Sequence, residues 1–141
     1  MNDVVVHKFG GSCLRDSSDL EVISKIIKSR PSRIVVVVSA LWGTTDRLLR
    51  AANEPRYATR LVSDLRKQHL RFSPKIDESI FADKFNKVLN GIDKSLYNLS
   101  KNPDSFVDVN TLLAAGERLS ALVVANELRK QGLDANAVGS E

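Results

Sequence analysis

The stretch Val4-Val5-Val6-His7-Lys8-Phe9-Gly10-Gly11-Ser12 decides the start of the fold. Its β-branched residues predict a short strand, its paired glycines predict a turn, and Ser17 or Ser18 is expected to cap the helix that follows. In that helix, apolar residues recur at helical spacing until Pro31 ends it. The next segment, Arg33-Ile34-Val35-Val36-Val37-Val38-Ser39, is an apolar run without polar alternation, which predicts a second strand buried on both faces of a parallel sheet. The pattern indicates a βαβ unit with a right-handed crossover.

The segment after the second strand is mostly helical. Leu41-Trp42-Gly43 predicts a turn in which Trp42 anchors the loop, and Thr44 or Thr45 is expected to cap a helix that runs to about Ala52. Apolar stripes then predict three more helices, over Tyr57 to Phe72, Ser79 to Leu99 and about Phe106 to Gln131.

The C-terminal residues predict a third strand. Gly132 lies where a left-handed helix cap is expected, and Ala135-Asn136-Ala137-Val138-Gly139 has the pattern of a strand. The fold class is therefore α/β with a mainly parallel sheet, in which ligands usually bind at the carboxyl ends of the strands. Because the sequence stops at Glu141, where that strand finishes, we expect a fragment of a longer protein.

The composition excludes several classes of protein. The chain has 141 residues, of which 43% are hydrophobic and 27% charged, so it is neither disordered nor fibrous. No apolar run approaches the ~20 residues that a membrane-spanning helix needs. Cys13 is the only cysteine, which favours a reducing, cytoplasmic setting. The net charge of +4 fits an anionic substrate, and the basic stretch Arg56 to Phe72 is interpreted as a solvated helix face rather than a nucleic-acid site.

The first candidate site is Lys8-Phe9-Gly10-Gly11-Ser12, between the first strand and the first helix. Paired glycines let the backbone approach a ligand and expose N–H groups, the helix N-terminus adds partial positive charge, and the lysine supplies a cation. This combination suits a phosphoryl group. It matches neither G-x-G-x-x-G nor G-x-x-x-x-G-K-[ST], so the dinucleotide and Walker motifs are excluded. The alternative is a tight structural turn with a solvated lysine.

Two further motifs follow, at the end of the second strand and inside the last helix. Ser39-Ala40 and Gly43-Thr44-Thr45-Asp46 place small and hydroxyl side chains beside the glycine turn, if the strands are parallel neighbours. Gly116 within a helix costs roughly 1 kcal/mol, so we expect another backbone or a ligand to approach it closely. Glu117 could then receive an amino group, and Arg118 a carboxylate. The alternatives are helix capping by a threonine and a surface Glu–Arg pair beside a kink.

No protein-held metal site is predicted. His7 and His69 are far apart in sequence, and neither is accompanied by a second imidazole or a cysteine. His69 continues an apolar stripe and is expected to be packed inside. Cys13 beside the glycine turn is either a reactive thiol or a small packing residue.

The three motifs together resemble the aspartokinases, a branch of the amino acid kinase family. They are Val6-His7-Lys8-Phe9-Gly10-Gly11-Ser12, Val36-Val37-Val38-Ser39-Ala40 and Gly116-Glu117-Arg118-Leu119-Ser120-Ala121. Their order and spacing match, as does the helical insertion between the second and third motifs, which N-acetylglutamate and carbamate kinases usually lack. The resemblance covers essentially all 141 residues. It implies a three-layer αβα, carbamate kinase-like fold with a helical insertion.

The resemblance also implies an activity. Aspartokinases use ATP, bound with Mg²⁺, to phosphorylate the side-chain carboxylate of L-aspartate to 4-phospho-L-aspartate, the first step of lysine, threonine and methionine biosynthesis. Lys8 would be the catalytic residue that neutralises charge on the transferred group. The phosphate-binding residues would be Lys8, Phe9, Gly10, Gly11 and Ser12. The residues that bind aspartate would be Ser39, Thr45 and Glu117.

Two departures limit what the resemblance implies. The family usually has serine where this chain has Cys13. Residues 1–141 correspond to the N-terminal, substrate-side part of a kinase domain, while the nucleotide-binding half, most of the Mg²⁺ site and the regulatory ACT domains lie downstream. We therefore expect an intact homo-oligomeric enzyme to be active and this piece alone to be inactive. The alternative function is a non-catalytic amino-acid-binding or regulatory module of the same fold.

Overall fold

The computed structural model describes residues 3–30 and 32–139, which form a parallel pair of strands and five α-helices. In chain order these elements are β1 (Val4–Phe9), α1 (Ser17–Lys28), β2 (Arg33–Val38), α2 (Thr44–Asn53), α3 (Leu61–Phe72), α4 (Ala82–Lys101) and α5 (Phe106–Lys130). Short 3₁₀ helices form at Gly11–Cys13, Pro55–Tyr57 and Ile76–Glu78. The helical insertion expected between the second and third motifs is therefore present as α2, α3 and α4.

The two strands confirm the predicted βαβ unit. β1 and β2 pair in parallel, in a register that runs from Val4 opposite Arg33 to Phe9 opposite Val38. The Ser39 N–H donates to the Phe9 carbonyl at 3.1 Å, which carries the pairing into the loop after β2. Both strands therefore end at the same edge of the sheet. The predicted helix-ending role of Pro31 falls outside the described residues.

The sheet is covered on one face by the described helices. Alternate residues of β2, such as Val36 and Val38, pack against the hydrophobic core. On the other face, Val35 and Val37 are 48% and 43% exposed, and Val6 on β1 is 63% exposed. The prediction that β2 is buried on both faces is therefore wrong for this chain, because no described element packs on the outer valines. We call this exposed surface the outer valine face.

Helix α1 is capped by Asp16. The Asp16 carboxylate accepts hydrogen bonds from the N–H groups of Ser18, at 2.9 Å, and Asp19, at 3.3 Å, and from the Ser18 hydroxyl. The Ser18 hydroxyl, followed by these backbone donors, lowers the pKa of Asp16. The prediction that Ser17 or Ser18 caps the helix is wrong, because both residues already lie inside its first turn.

The insertion helices pack on α5, which is the longest element. The Ser105 side chain caps α5 by accepting from the Asp108 N–H, and its hydroxyl donates to the Asp108 carboxylate at 2.6 Å. The Asn98 amide of α4 donates to the same carboxylate at 3.1 Å, so the end of α4 is bonded to the start of α5. These donors, Ser105 first and Asn98 second, lower the pKa of Asp108. Gly132 follows α5 with φ of 89°, which confirms the predicted left-handed cap.

The predicted third strand does not form in the described chain. Ala135–Gly139 has no strand pairing, and the sheet consists of β1 and β2 alone within residues 3–30 and 32–139. A cavity of about 460 Å³ lies between β2, α5 and residues 134–139. Residues 134–139 line this cavity together with β2 and form no ladder with it, so the predicted strand has no partner in the described chain.

Candidate functional site

The three sequence motifs meet at Ala40, a residue that is 5% exposed. A Cβ atom added to Gly11 would lie 3.4 Å from the Ala40 carbonyl oxygen, and one added to Gly116 would lie 3.3 Å from the Ala40 Cβ. The glycine turn, the loop after β2 and the middle of α5 are therefore in direct contact. This confirms that the first two motifs are neighbours and that Gly116 permits a close approach.

The approach at Gly116 brings α5 against α2. A Cβ at this position would also lie 3.0 Å from Leu48 Cδ1 and 3.3 Å from Thr44 Cγ2. Contacts this short require the neighbouring side-chain atoms to shift by a few tenths of an ångström, so a larger side chain at residue 116 would disturb the packing of α5 against α2 and the loop. The absence of a side chain at Gly116 thus permits close packing of α5, on which Glu117 is the next residue, against the second motif.

The glycine turn presents its charged and polar groups to solvent. Lys8 is exposed on the outer valine face, opposite Val37, and it makes no ion pair with any other described residue. Phe9 points into the core, so only its backbone is near the turn. Gly11–Cys13 forms a 3₁₀ turn with Ser12 and Cys13 exposed.

The N-terminus of α1 is capped by the Asp16 side chain. The helix begins at Ser17, and its first free N–H groups are bonded to the Asp16 carboxylate. These N–H groups are therefore not free to bind a phosphoryl group, and the contribution of the helix N-terminus to such a site stays a prediction. Lys8 and the backbone of the glycine turn remain as the groups that can attract an anion here.

The loop of residues 39–45 is held by its backbone. The Trp42 N–H donates to the Leu14 carbonyl at 3.0 Å, and Gly43 adopts φ of 79°, a conformation that favours glycine. Trp42, the predicted anchor of the loop, holds it through this backbone bond, and its side chain is 60% exposed. The N-cap of α2 is Gly43 without a side-chain bond, so neither Thr44 nor Thr45 caps the helix.

The candidate aspartate-binding residues lie around this loop. Ser39 is half-buried directly after β2, and Thr45 is exposed in the first turn of α2. Glu117 and Arg118 are exposed on α5, and both line the 460 Å³ cavity beside β2. Helix α5 is continuous through Gly116, so its glycine marks a contact rather than a break.

Gln68 was missed by the sequence analysis. It lies on α3, is 9% exposed, and its amide Nε2 donates to the Trp42 carbonyl at 3.1 Å. The Thr44 hydroxyl donates to its Oε1 at 3.3 Å. The signal that could have found it is a polar residue on the buried stripe of α3, between Leu65 and Phe72.

His69 is packed inside, as predicted. Its Nδ1–H donates to the Leu65 carbonyl at 2.7 Å, and its ring lies beside Phe85 with the centroids 6.2 Å apart. Burial lowers its pKa to about 4. Within residues 3–30 and 32–139, no three His, Cys, Asp or Glu side chains come together to hold a metal ion. No helix in this described part is long and apolar enough to span a membrane.

Comparison with known proteins decides the family. Residues 3–141 match the model of the amino acid kinase family. The chain belongs to the amino acid kinase family. The relatives found support the resemblance to aspartokinases within this family. The bifunctional aspartokinase/homoserine dehydrogenase 1 of Arabidopsis thaliana, a chloroplastic protein, is 30% identical over 141 residues, which cover 92% of this chain and 15% of the relative. The corresponding enzyme of Daucus carota is 27% identical over 143 residues, with 93% and 15% covered.

Solved structures show that the amino acid kinase fold is shared. E. coli aspartokinase III in complex with aspartate and ADP superposes with a TM-score of 0.80 at 22% identity, over 94% of this chain and 30% of that one. The Clostridium acetobutylicum aspartate kinase gives a TM-score of 0.66 at 20% identity, over 90% and 29%. The α/β fold with parallel strands is thereby confirmed. The chain spans 15% of the length of its curated relatives.

Proposed function

We propose that this chain is the substrate-side part of an ATP-dependent aspartokinase, which phosphorylates the side-chain carboxylate of L-aspartate. The observation that carries the proposal is the contact of all three motifs at Ala40, where Gly11 and Gly116 leave room for the loop between them. The names of the relatives support the same activity, and one solved structure of the same fold holds aspartate and ADP.

The proposed reaction asks for positioning and charge stabilisation. A carboxylate oxygen of aspartate forms a bond to the γ-phosphorus of ATP, while the bond from that phosphorus to the ADP oxygen breaks. The attacking carboxylate is already ionised at neutral pH, so no residue has to remove a proton. Phosphoryl transfer of this kind depends mainly on aligned reactants and neutralised charge.

The glycine turn would meet the phosphoryl group. Lys8 is exposed and makes no ion pair with other described residues, so its ammonium group can neutralise charge on the transferring phosphoryl oxygens. Gly10 and Gly11 let the backbone come close, and the exposed Ser12 adds a hydroxyl donor. Phe9 would contribute only its backbone, because its side chain belongs to the core.

The opposite side of the site would hold the amino acid. Ser39 and Thr45 carry hydroxyl groups at the two ends of the loop that contacts Gly116, and they can donate hydrogen bonds to a carboxylate. Glu117, one residue further along α5, can accept hydrogen bonds from the substrate ammonium group. We propose these three residues as the aspartate site.

The proposal places ATP and Mg²⁺ mostly against other parts of a longer protein. The described residues contain no cluster of metal-ligating side chains, so a Mg²⁺ ion would be held by the ATP phosphates and by residues outside this chain. When bound, it neutralises phosphate charge. Residues 1–141 would be the substrate-side part of the kinase domain, and a nucleotide-binding half and regulatory ACT domains would come from sequence beyond them.

A homo-oligomer in the cytoplasm is the proposed state of the intact enzyme. The single cysteine supports a reducing compartment. The outer valine face supports association with further polypeptide, since Val6, Val35 and Val37 form an exposed apolar surface. Multi-angle light scattering of the intact enzyme measures its oligomeric state.

The test uses the longest reading frame that contains this chain. The purified product is incubated with ATP, Mg²⁺, L-aspartate and hydroxylamine, which traps aspartyl phosphate as the hydroxamate. We expect an ATP-dependent signal that falls about 100-fold or more in Lys8→Ala, the loss typical of a group that stabilises transition-state charge. Lys84→Ala, which removes an exposed lysine from α4, serves as the matched control and keeps full activity.

Four results would contradict the proposal or part of it. A full-length product that phosphorylates N-acetylglutamate or glutamate and not aspartate changes the substrate. Activity that survives Lys8→Ala removes the proposed role of this lysine, and activity of the 141-residue chain alone removes the expectation that this piece is inactive. Aspartate binding without any turnover by the full-length product would support the non-catalytic amino-acid-binding module instead.

A further inference from the structure

We propose that Gln68 is a positioning residue, which holds the 39–45 loop so that Thr45 meets the carboxylate substrate. The inference rests on the proposed function for the identity of that substrate. The contact between Gln68 and the loop stands on the described geometry alone. It also gives the helical insertion a role in the site, because Gln68 belongs to α3 and the loop follows β2.

The Gln68 amide bonds to the loop on both sides of Gly43. Its Nε2 donates to the Trp42 carbonyl at 3.1 Å, and its Oε1 accepts from the Thr44 hydroxyl at 3.3 Å. One planar side chain therefore supplies a donor to the residue before the turn and an acceptor to the residue after it. Thr44 is fully buried and Gln68 is 9% exposed, so water does not readily replace these bonds.

The loop needs such a restraint because its turn is centred on a glycine. Gly43 has φ of 79°, and glycine adopts many other backbone conformations at little cost. Backbone bonds also hold the turn: the Trp42 N–H donates to the Leu14 carbonyl and the Thr44 N–H to the Leu41 carbonyl, each at 3.0 Å, and the Arg47 N–H donates to the Gly43 carbonyl at 3.2 Å. None of these bonds reaches α3.

Thr45 follows directly in the chain. Its side chain is exposed in the first turn of α2 and is not held by packing in the core. The position of Thr45 is therefore set by the backbone turn at Gly43 and by Thr44 beside it. From the other side, Gly116 packs against the Thr44 methyl group and the Ala40 Cβ. The loop is therefore held by α3 through hydrogen bonds and by α5 through close packing.

A purely structural role predicts a different outcome for substitution. Gln68 lies on the apolar stripe of α3, with Leu65 and Phe72, where an apolar side chain of similar volume packs well. Replacing it with methionine would then leave the loop unchanged. If Gln68 positions the loop, the same substitution increases the motion of the loop and weakens aspartate binding.

The first measurement follows Trp42, the only tryptophan of the 141-residue chain, which lies in the loop itself. Time-resolved fluorescence anisotropy reports its local motion, and circular dichroism checks that each variant is folded. We expect Gln68→Met and Thr44→Val to give a larger amplitude of fast depolarisation. Thr44→Ser keeps the hydroxyl but removes the methyl group beside Gly116, so it should give a smaller increase than Thr44→Val. Asn126→Leu is the matched control, because it removes another buried amide, one that donates to Ser73 Oγ at 2.7 Å.

The second measurement uses the full-length enzyme. We expect Gln68→Met to raise KM for aspartate about tenfold, with a smaller change in kcat and no change in KM for ATP, because Thr45 touches the amino acid alone. Asn126→Leu leaves both KM values unchanged. An unchanged anisotropy decay in Gln68→Met and Thr44→Val would overturn the restraint of the loop. Increased loop motion with an unchanged KM for aspartate would overturn the link to substrate.

The two proposals fail separately. A wild-type full-length protein without aspartokinase activity overturns the proposed function, and with it the assignment of aspartate to Thr45. The anisotropy of the same variants still decides whether Gln68 holds the loop. A change of equal size in Asn126→Leu would show that general loosening of the fold, rather than the loss of the Gln68 bonds, moves Trp42.

Discussion

Acidification should destabilise this fold through His69, and the size of the effect follows from its surroundings. The imidazole is fully buried beside Phe85, and within the described chain its Nε2 has no hydrogen-bond partner. Its Nδ1–H donates to the Leu65 carbonyl, a bond that the neutral ring already makes. Protonation would place a charge on Nε2 where nothing solvates it, so burial lowers the pKa from 6.5 to about 4.

The sign of the effect is set by which state binds the proton first. Between pH 6.5 and pH 4 the unfolded chain is protonated at His69 and the folded chain is not, so the free energy of unfolding falls as the pH falls. With these pKa values the loss between pH 7.5 and pH 5 is about 2 kcal/mol. By pH 4 it reaches about 3 kcal/mol.

The assay is urea unfolding of the 141-residue chain at pH 7.5 and pH 5, followed by circular dichroism of the helices. His69→Leu fills the same buried position without a titratable group, so we expect it to remove most of the pH dependence. Ile92→Val serves as the control, because it lowers stability by about 1 kcal/mol in the same core and should keep the wild-type pH dependence. Equal pH dependence in wild type and His69→Leu would refute the reasoning.

Three further predictions concern stability. Gly116→Val should lower the free energy of unfolding by about 1–3 kcal/mol, because a Cβ atom at this position lies only 3.0–3.3 Å from its neighbours. Gly91→Ala, in open space on α4, should raise the free energy of unfolding by up to about 1 kcal/mol, and urea unfolding measures both variants. Phe85→Ala should cost about 3–5 kcal/mol by the same method and should make the pH dependence shallower, because its ring shields His69. Asp16→Ala should lower the Tm more than Asp16→Asn, which keeps an acceptor for the first turn of α1, and calorimetry would contradict this if the two values agreed.

Local patterns were enough to predict most of the elements. The strands β1 and β2, the crossover helix α1 and the long α5 were all predicted, because each is marked by apolar residues within its own segment: a β-branched run in the strands and helical spacing in the helices. The strand predicted at Ala135–Gly139 does not form in the structure. A strand exists only when a neighbouring strand lies within hydrogen-bonding distance, and the local sequence does not determine that. The exposure of the outer valine face could not be predicted for a similar reason. Whether a strand is buried on both faces depends on the elements that pack against it and not on its own residues.

The candidate site was predicted in part. The contact of the first two motifs followed from parallel strands, and the close approach at Gly116 followed from the cost of glycine inside a helix. Gln68 could not be found in this way, because its partners are a backbone carbonyl and a hydroxyl more than 20 residues away in the chain. Asp16 was missed as a cap because the two serines beside it have nearly the same capping preference.

The enclosure of Ala40 between two glycines limits how this sequence can diverge. A side chain at residue 116 would meet the Ala40 Cβ, and one at residue 11 would meet the Ala40 carbonyl oxygen, so substitutions at residue 40 are not independent of those at its two neighbours. A larger side chain at residue 40, for example, becomes tolerable only after a neighbouring side chain has been replaced by a smaller one. Such epistasis leaves few single-step routes through sequence space, and directed evolution of this site should begin with paired libraries at these positions.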